Sequence, residues 1–146
     1  MASDLEIAGA LCRRFEGFYP RPYLCPANVP TIGYGSTRYE DGTKVSLTDP
    51  PVTRERAESL LQFELAHCRK AVVKYCPGVG DGTSAALIDF VYNLGAGRLA
   101  GSTLRKRVNA GDLDGARTEI MRWVRGGGKV LPGLVKRRAA EAALLN

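Results

Sequence analysis

The 146-residue chain is one domain's worth of sequence, and its 45% hydrophobic and 25% charged residues describe a packed globular protein rather than a disordered one. Its formal net charge of +6 suits a polyanionic partner but does not choose among nucleic acid, anionic lipid and wall polymer. No apolar run reaches the roughly 18–20 residues that span a bilayer, and a single histidine with no Cys-x-x-Cys argues against a zinc site, so no metal or cofactor is expected.

The polar, acidic start from Met1 to Glu6 lacks a basic and then apolar signal, so a secretory signal is not expected, and a substrate outside the cytoplasm would require delivery by another factor. Ser3 and Glu6 form a capping box. Leu5, Ala8, Leu11, Cys12 and Phe15 then recur at helical spacing, and Gly17 ends the helix at or near Glu16. A helix C-terminus disfavours an ionised carboxylate, and Phe15, Phe18 and Tyr19 would desolvate it, so both effects favour a protonated Glu16. Such an acid is what cleavage of a glycosidic bond requires.

From Pro20 to Pro30 the four prolines predict a loop, which contains Tyr23 and Cys25. Thr31 to Thr37, the Asp41-Gly42 turn and Thr43 to Leu47 predict a small antiparallel sheet over Val29 to Leu47. In it, Gly33 and Gly35 leave the backbone open to a ligand. Thr53 is expected to cap a helix through about Val73, with Ala57, Leu60, Leu61, Leu65, Cys68 and Val72 as its apolar face. His67 falls on a charged, solvated stretch. Thr83 to Asn93 is nearly all apolar and is the central buried helix. Helices at about Ser102 to Val108 and Asp112 to Val124 follow, then a Gly126-Gly127-Gly128 loop and a last helix from Leu134 to Leu145. On that helix Arg137, Arg138 and Glu141 read as a structural charge network. Without a secretion signal, the four cysteines are expected as free thiols, Cys12 and Cys68 on buried faces.

Glu16-Gly17, Cys25 and Thr31-Ile32-Gly33-Tyr34-Gly35 together resemble the signature of the phage-type muramidases, the endolysins of tailed bacteriophages. The likeness continues through Ala86 to Gly95, Ser102-Thr103-Leu104, Trp123 and Gly133 to Glu141. It departs from the family pattern at Cys25, often Asp, at Ser36, often His, and at Thr83, often Gln.

The resemblance implies an α+β fold: one lysozyme-like domain over residues 1–146, mostly helical, with a small β-containing lobe at about 17–50 and a helical lobe at about 51–146 plus the first helix. It implies hydrolysis of the β-1,4 bond between N-acetylmuramic acid and N-acetylglucosamine in peptidoglycan. Glu16 would be the general acid, Thr31 would position the attacking water, and Cys25 would take the place often held by Asp. Tyr23, Tyr34 and Gly35 are candidates to contact the sugar. A monomer made in the host cytoplasm, released by a holin to act on glycan strands in the periplasm, is the implied biology, with no nucleic-acid partner and no stable membrane insertion. Two other classes fit less well: a lytic transglycosylase, which also needs a Glu acid but no water-activating partner, so that Thr31 and Cys25 argue against it, and a non-catalytic wall- or nucleic-acid-binding protein, against which an intact Glu16 and Thr31 argue.

Overall fold

A computed structural model describes residues 1–146 and contains seven helices and two short hairpins. Helix α1 (Asp4–Glu16) opens with the expected capping box, Ser3 Oγ accepting from the Glu6 N–H and Glu6 Oε1 from the Ser3 N–H. Gly17, at φ 72°, ends it by donating its N–H to the Arg13 carbonyl. Asp4, at the start of α1, is buried and ties three helices together, accepting from Arg69 Nε at 2.7 Å and Ser84 Oγ at 2.8 Å. Burial pushes the Asp4 carboxyl up, but these donors outweigh it and hold it below the ordinary value of 3.8. A depressed carboxylate stabilises the fold above its unfolded value and loses that contribution as pH falls through its folded value. Because Arg69 is half-exposed and screened, Asp4→Asn should cost about 1 kcal/mol at neutral pH. The gap to the parent protein should close as pH falls below 3.8, which urea titrations at neutral and acid pH would read.

The predicted loop from Pro20 to Pro30 is instead half strand. β1 (Tyr19–Leu24) pairs antiparallel with β2 (Pro30–Gly33), matching Tyr19 with Gly33, Tyr23 with Thr31 and Leu24 with Pro30, with a register irregularity between Tyr19 and Tyr23. Pro20 and Pro22 fall within that irregular stretch of a two-stranded sheet, where a missing N–H breaks no ladder bond. Pro26-Ala27-Asn28 is the hairpin loop. Asn28 donates to the Cys25 carbonyl at 2.8 Å and takes φ 60°, the left-handed residue of a three-residue loop. The sheet expected over Val29 to Leu47 is therefore displaced toward the N-terminus. Its later part is reduced to two isolated bridges, Ile32 with Ser36 and Arg38 with Lys44, although Asp41-Gly42 does turn there.

α2 (Arg54–Tyr75) is capped by Thr53, and its six predicted apolar positions are its buried residues, while His67 is exposed. α3 (Asp81–Leu94) begins two residues earlier than predicted and buries every residue from Thr83 to Val91. α1, α2, the last helix α7 (Pro132–Ala142) and the short α4 (Ala96–Ala100), which the sequence did not mark, pack around it. α5 (Thr103–Asn109) and α6 (Leu113–Ile120) follow, the latter ending before Trp123, whose ring meets Phe90 edge-on. The triple-glycine loop turns a second hairpin, β3 (Arg125–Gly126) with β4 (Lys129–Val130), before α7 (Pro132–Ala142). No helix is long and apolar enough to cross a membrane.

Candidate active site

Three elements converge on Glu16. The end of α1 presents its carboxyl, β2 and the turn after it pass alongside, and α7 reaches it from the other end of the chain. The side chain is 20% exposed, and its Oε2 lies 2.6 Å from Arg137 Nη1. A guanidinium thus sits on the carboxyl that the helix end and its aromatic neighbours were expected to hold neutral. Arg137 is 121 positions away, so no local pattern could reveal it.

Gly35 lies against the other oxygen. A Cβ there would fall 2.7 Å from Glu16 Oε1 and 2.8 Å from its Cδ, and the backbone adopts φ 87°. The open backbone expected to admit a ligand is thus occupied, at this position, by the carboxyl itself. At Gly33 the close neighbour is Ala57 of α2, so that glycine permits packing.

Cys25 and Thr31 flank the first hairpin's turn. Thr31 is 3% exposed and donates its hydroxyl to the Val29 carbonyl at 2.8 Å. Cys25 is half-buried. Burial pushes its thiol up, but the N–H groups of Val29 and Ala27 and the Thr31 hydroxyl outweigh that and bring it below the ordinary value of 9.0. Tyr23 pairs with Thr31 across the hairpin, and burial, followed by the charges of Glu16, Tyr19 and Cys25, pushes its phenol up to about 12. Tyr19 stacks on Tyr23 with ring centroids 4.4 Å apart.

Tyr34 is placed otherwise than the sequence suggested. It is 8% exposed and belongs to the core, packed on Phe18 at 5.6 Å, and its carbonyl accepts from the Tyr92 hydroxyl at 2.6 Å. Gly35 thus packs on the Glu16 carboxyl and Tyr23 pairs with Thr31 in the hairpin that carries Cys25, whereas the Tyr34 ring faces inward.

Behind Glu16 stands a buried charge network that the sequence reading had confined to α7. Arg137 donates Nε to Asp89 Oδ2 at 2.9 Å and Nη2 to Asp89 Oδ1 at 2.8 Å. Cys12 donates to Oδ1 at 3.1 Å. Burial pushes the Asp89 carboxyl up, but Glu141 and Arg137 outweigh it and keep it below the ordinary range. Burial and the neighbouring Asp89 push Glu141 well above its own. Asp89 is thus the more acidic of the two, while Glu141 Oε1 lies 2.7 Å from Arg138 Nε. Arg138, fully buried, donates Nη2 to Glu141 Oε2 at 2.9 Å and to Asn93 at 2.8 Å, so the expected pairing within α7 is present. The signal for this network was Asp89 itself, a lone charge in the middle of the apolar α3.

The four cysteines are free, and Cys12, Cys68 and Cys76 are buried, so Cys25 is the accessible thiol. Surface cavities of about 710 and 660 Å³ lie away from Glu16, one beside the Glu40–Arg56 ion pair and the other beside Arg105.

A family model described as phage lysozyme matches residues 13–141. The endolysin of Acyrthosiphon pisum secondary endosymbiont phage 1 is 34% identical over 139 residues, covering 92% of this chain and 91% of that protein. The solved endolysin from Escherichia coli O157:H7 phage FAHEc1 superposes with a TM-score of 0.85 at 31% identity, covering 95% of this chain and 90% of that one. A mutant P22 lysozyme superposes with a TM-score of 0.81 at 25% identity over 99% of each chain.

Proposed function

This chain belongs to the phage lysozyme family, and we infer that it is an endolysin that hydrolyses the β-1,4 bond between N-acetylmuramic acid and N-acetylglucosamine in bacterial peptidoglycan. The observation that carries the chemical reading is the partly open Glu16 carboxyl, held on one oxygen by Arg137 and flanked on the other by the Gly35 backbone.

In the proposed mechanism, Glu16 gives its proton to the glycosidic oxygen as the bond to the anomeric carbon breaks. A water, positioned by Thr31, attacks that carbon and loses its proton to the Cys25 thiolate, whose formation the turn's N–H groups favour. Tyr23 and Tyr19 offer aromatic faces beside the acid, suited to a pyranose ring. Both lobes of the proposed single domain contribute: residues about 17–50 carry Cys25 and Thr31, and the helical remainder carries Glu16 and Arg137. Action as a monomer, with release from the host cytoplasm by a holin, belongs to the same proposal.

Mass spectrometry of fragments released from purified peptidoglycan tests the reaction, with Glu16→Gln as control. Reducing N-acetylmuramic acid ends that vanish in the variant are expected; 1,6-anhydro ends would instead identify a transglycosylase. Cys25→Ser should lower kcat by about 10²-fold, the value of a positioned base, while Cys25→Asp keeps most of the activity. A fully active Ser variant would remove the thiol from the mechanism. Gly35→Ala should displace the Glu16 carboxyl, costing about 1–3 kcal/mol in backbone strain and about 10²-fold in kcat. A thermal melt and a rate measurement on the same preparation check both.

A further inference from the structure

We propose that Asp89 is a positioning residue for the acid: it fixes the plane of the Arg137 guanidinium, which then holds Glu16 Oε2 and leaves Oε1 as the oxygen that carries the proton. The inference rests on Glu16 being the acid.

The geometry is that of a fork with one free tine. Asp89, fully buried on α3, engages Arg137 Nε and Nη2 at 2.9 and 2.8 Å. Two parallel hydrogen bonds along one edge of a guanidinium stop it rotating in its plane. The remaining nitrogen, Nη1, is thereby aimed, and it meets Glu16 Oε2 at 2.6 Å. Glu16 Oε1 lies on the Gly35 side, where no side chain intervenes. When Glu16 is protonated, Oε2 serves Arg137 as the carbonyl oxygen and the proton rests on Oε1.

The same contacts divide the charge of Arg137. With Asp89 anionic, half of the guanidinium is neutralised from behind, and Glu16 feels only the remainder. The groups facing Glu16 are Arg137 from α7, Cys12 from its own helix, Tyr23 from β1 and Tyr92 from α3. Those facing Asp89 are Cys12, Cys68, Arg137, Arg138 and Glu141. Arg137 is the one cation in direct contact with Glu16, so what Asp89 does to Arg137 passes to the acid.

Asp89→Asn tests this. Asn keeps the shape and one acceptor but removes the charge, so Arg137 turns its full charge on Glu16. The carboxyl-carbon NMR titration of Glu16 should then move about one pH unit lower, a tenfold change in the equilibrium, and kcat should fall while KM holds. A residue that only supports packing would lower the melting temperature and leave that titration where it was, which would overturn the proposal. Should the Asn variant not fold, Cys12→Ala carries the test. It strips the thiol from Asp89 Oδ1, so Asp89 binds Arg137 more strongly and the Glu16 titration should move up; no movement would again overturn the inference. The two readings fail separately. An active Glu16→Gln variant removes the acid assignment, whereas an inactive one with an unmoved titration removes only the role of Asp89.

Discussion

Glu16→Gln is expected to lower kcat on peptidoglycan by about 10³-fold, within the range that a general acid supplies. The amide keeps an oxygen for Arg137 Nη1 but has no proton of the required acidity to give the leaving group. Stability should move little. The ion pair that is lost is partly exposed on the Glu16 side, and Arg137 keeps both hydrogen bonds to Asp89. A melting temperature within about 4 °C of the parent protein is expected, since about 1 kcal/mol shifts a domain of this size by a few degrees. Turbidity clearance and calorimetry on one sample separate the two effects. A variant that is folded and retains a tenth of the activity would show that another group protonates the leaving oxygen.

Arg137→Met should have the opposite balance, with the larger effect on the fold. It removes the counter-charge of Asp89, which is fully buried, and leaves that carboxylate with the Cys12 thiol as its hydrogen-bond donor. Breaking a buried pair from one side costs about 3–5 kcal/mol. That corresponds to a melting temperature lower by on the order of 10 °C. The origin of the loss can be isolated, because Arg137→Met with Asp89→Leu removes both charges and should recover most of it. A single variant as stable as the parent would mean that Asp89 takes up a proton at little cost. Activity should fall in both, since Oε2 of Glu16 is no longer held.

What the sequence made legible follows from the range of the forces involved. The capping box at Ser3 and Glu6, the Thr53 cap and the buried face of α2 are local periodicities, and they lie where expected. Glu16 at a helix end before a glycine was readable for the same reason. β1 was not, because prolines argue against a strand unless its pairing is known, and the irregular register that tolerates them is a property of two segments together. The hairpin at residues 125–130 was hidden because its strands are two residues long. Tyr34 was a candidate because an aromatic face suits a sugar, but its ring packs inward on Phe18. Arg137 and Asp89 were each visible as charges. Their meeting with Glu16 depends on how α1, α3 and α7 pack, and no spacing along the chain encodes that.

The contact between Arg137 and Glu16 closes a loop of 121 residues. A chain made from its N-terminus extrudes α1 well before α7, and contacts between distant segments form late because their loops must close first. During synthesis the acid therefore hangs at the end of a helix with nothing to aim it, and its alignment waits for the eleven-residue α7 to dock. The acid is aimed only once α7 has been made and docked, which ties the alignment of one end of the described fold to synthesis of the other.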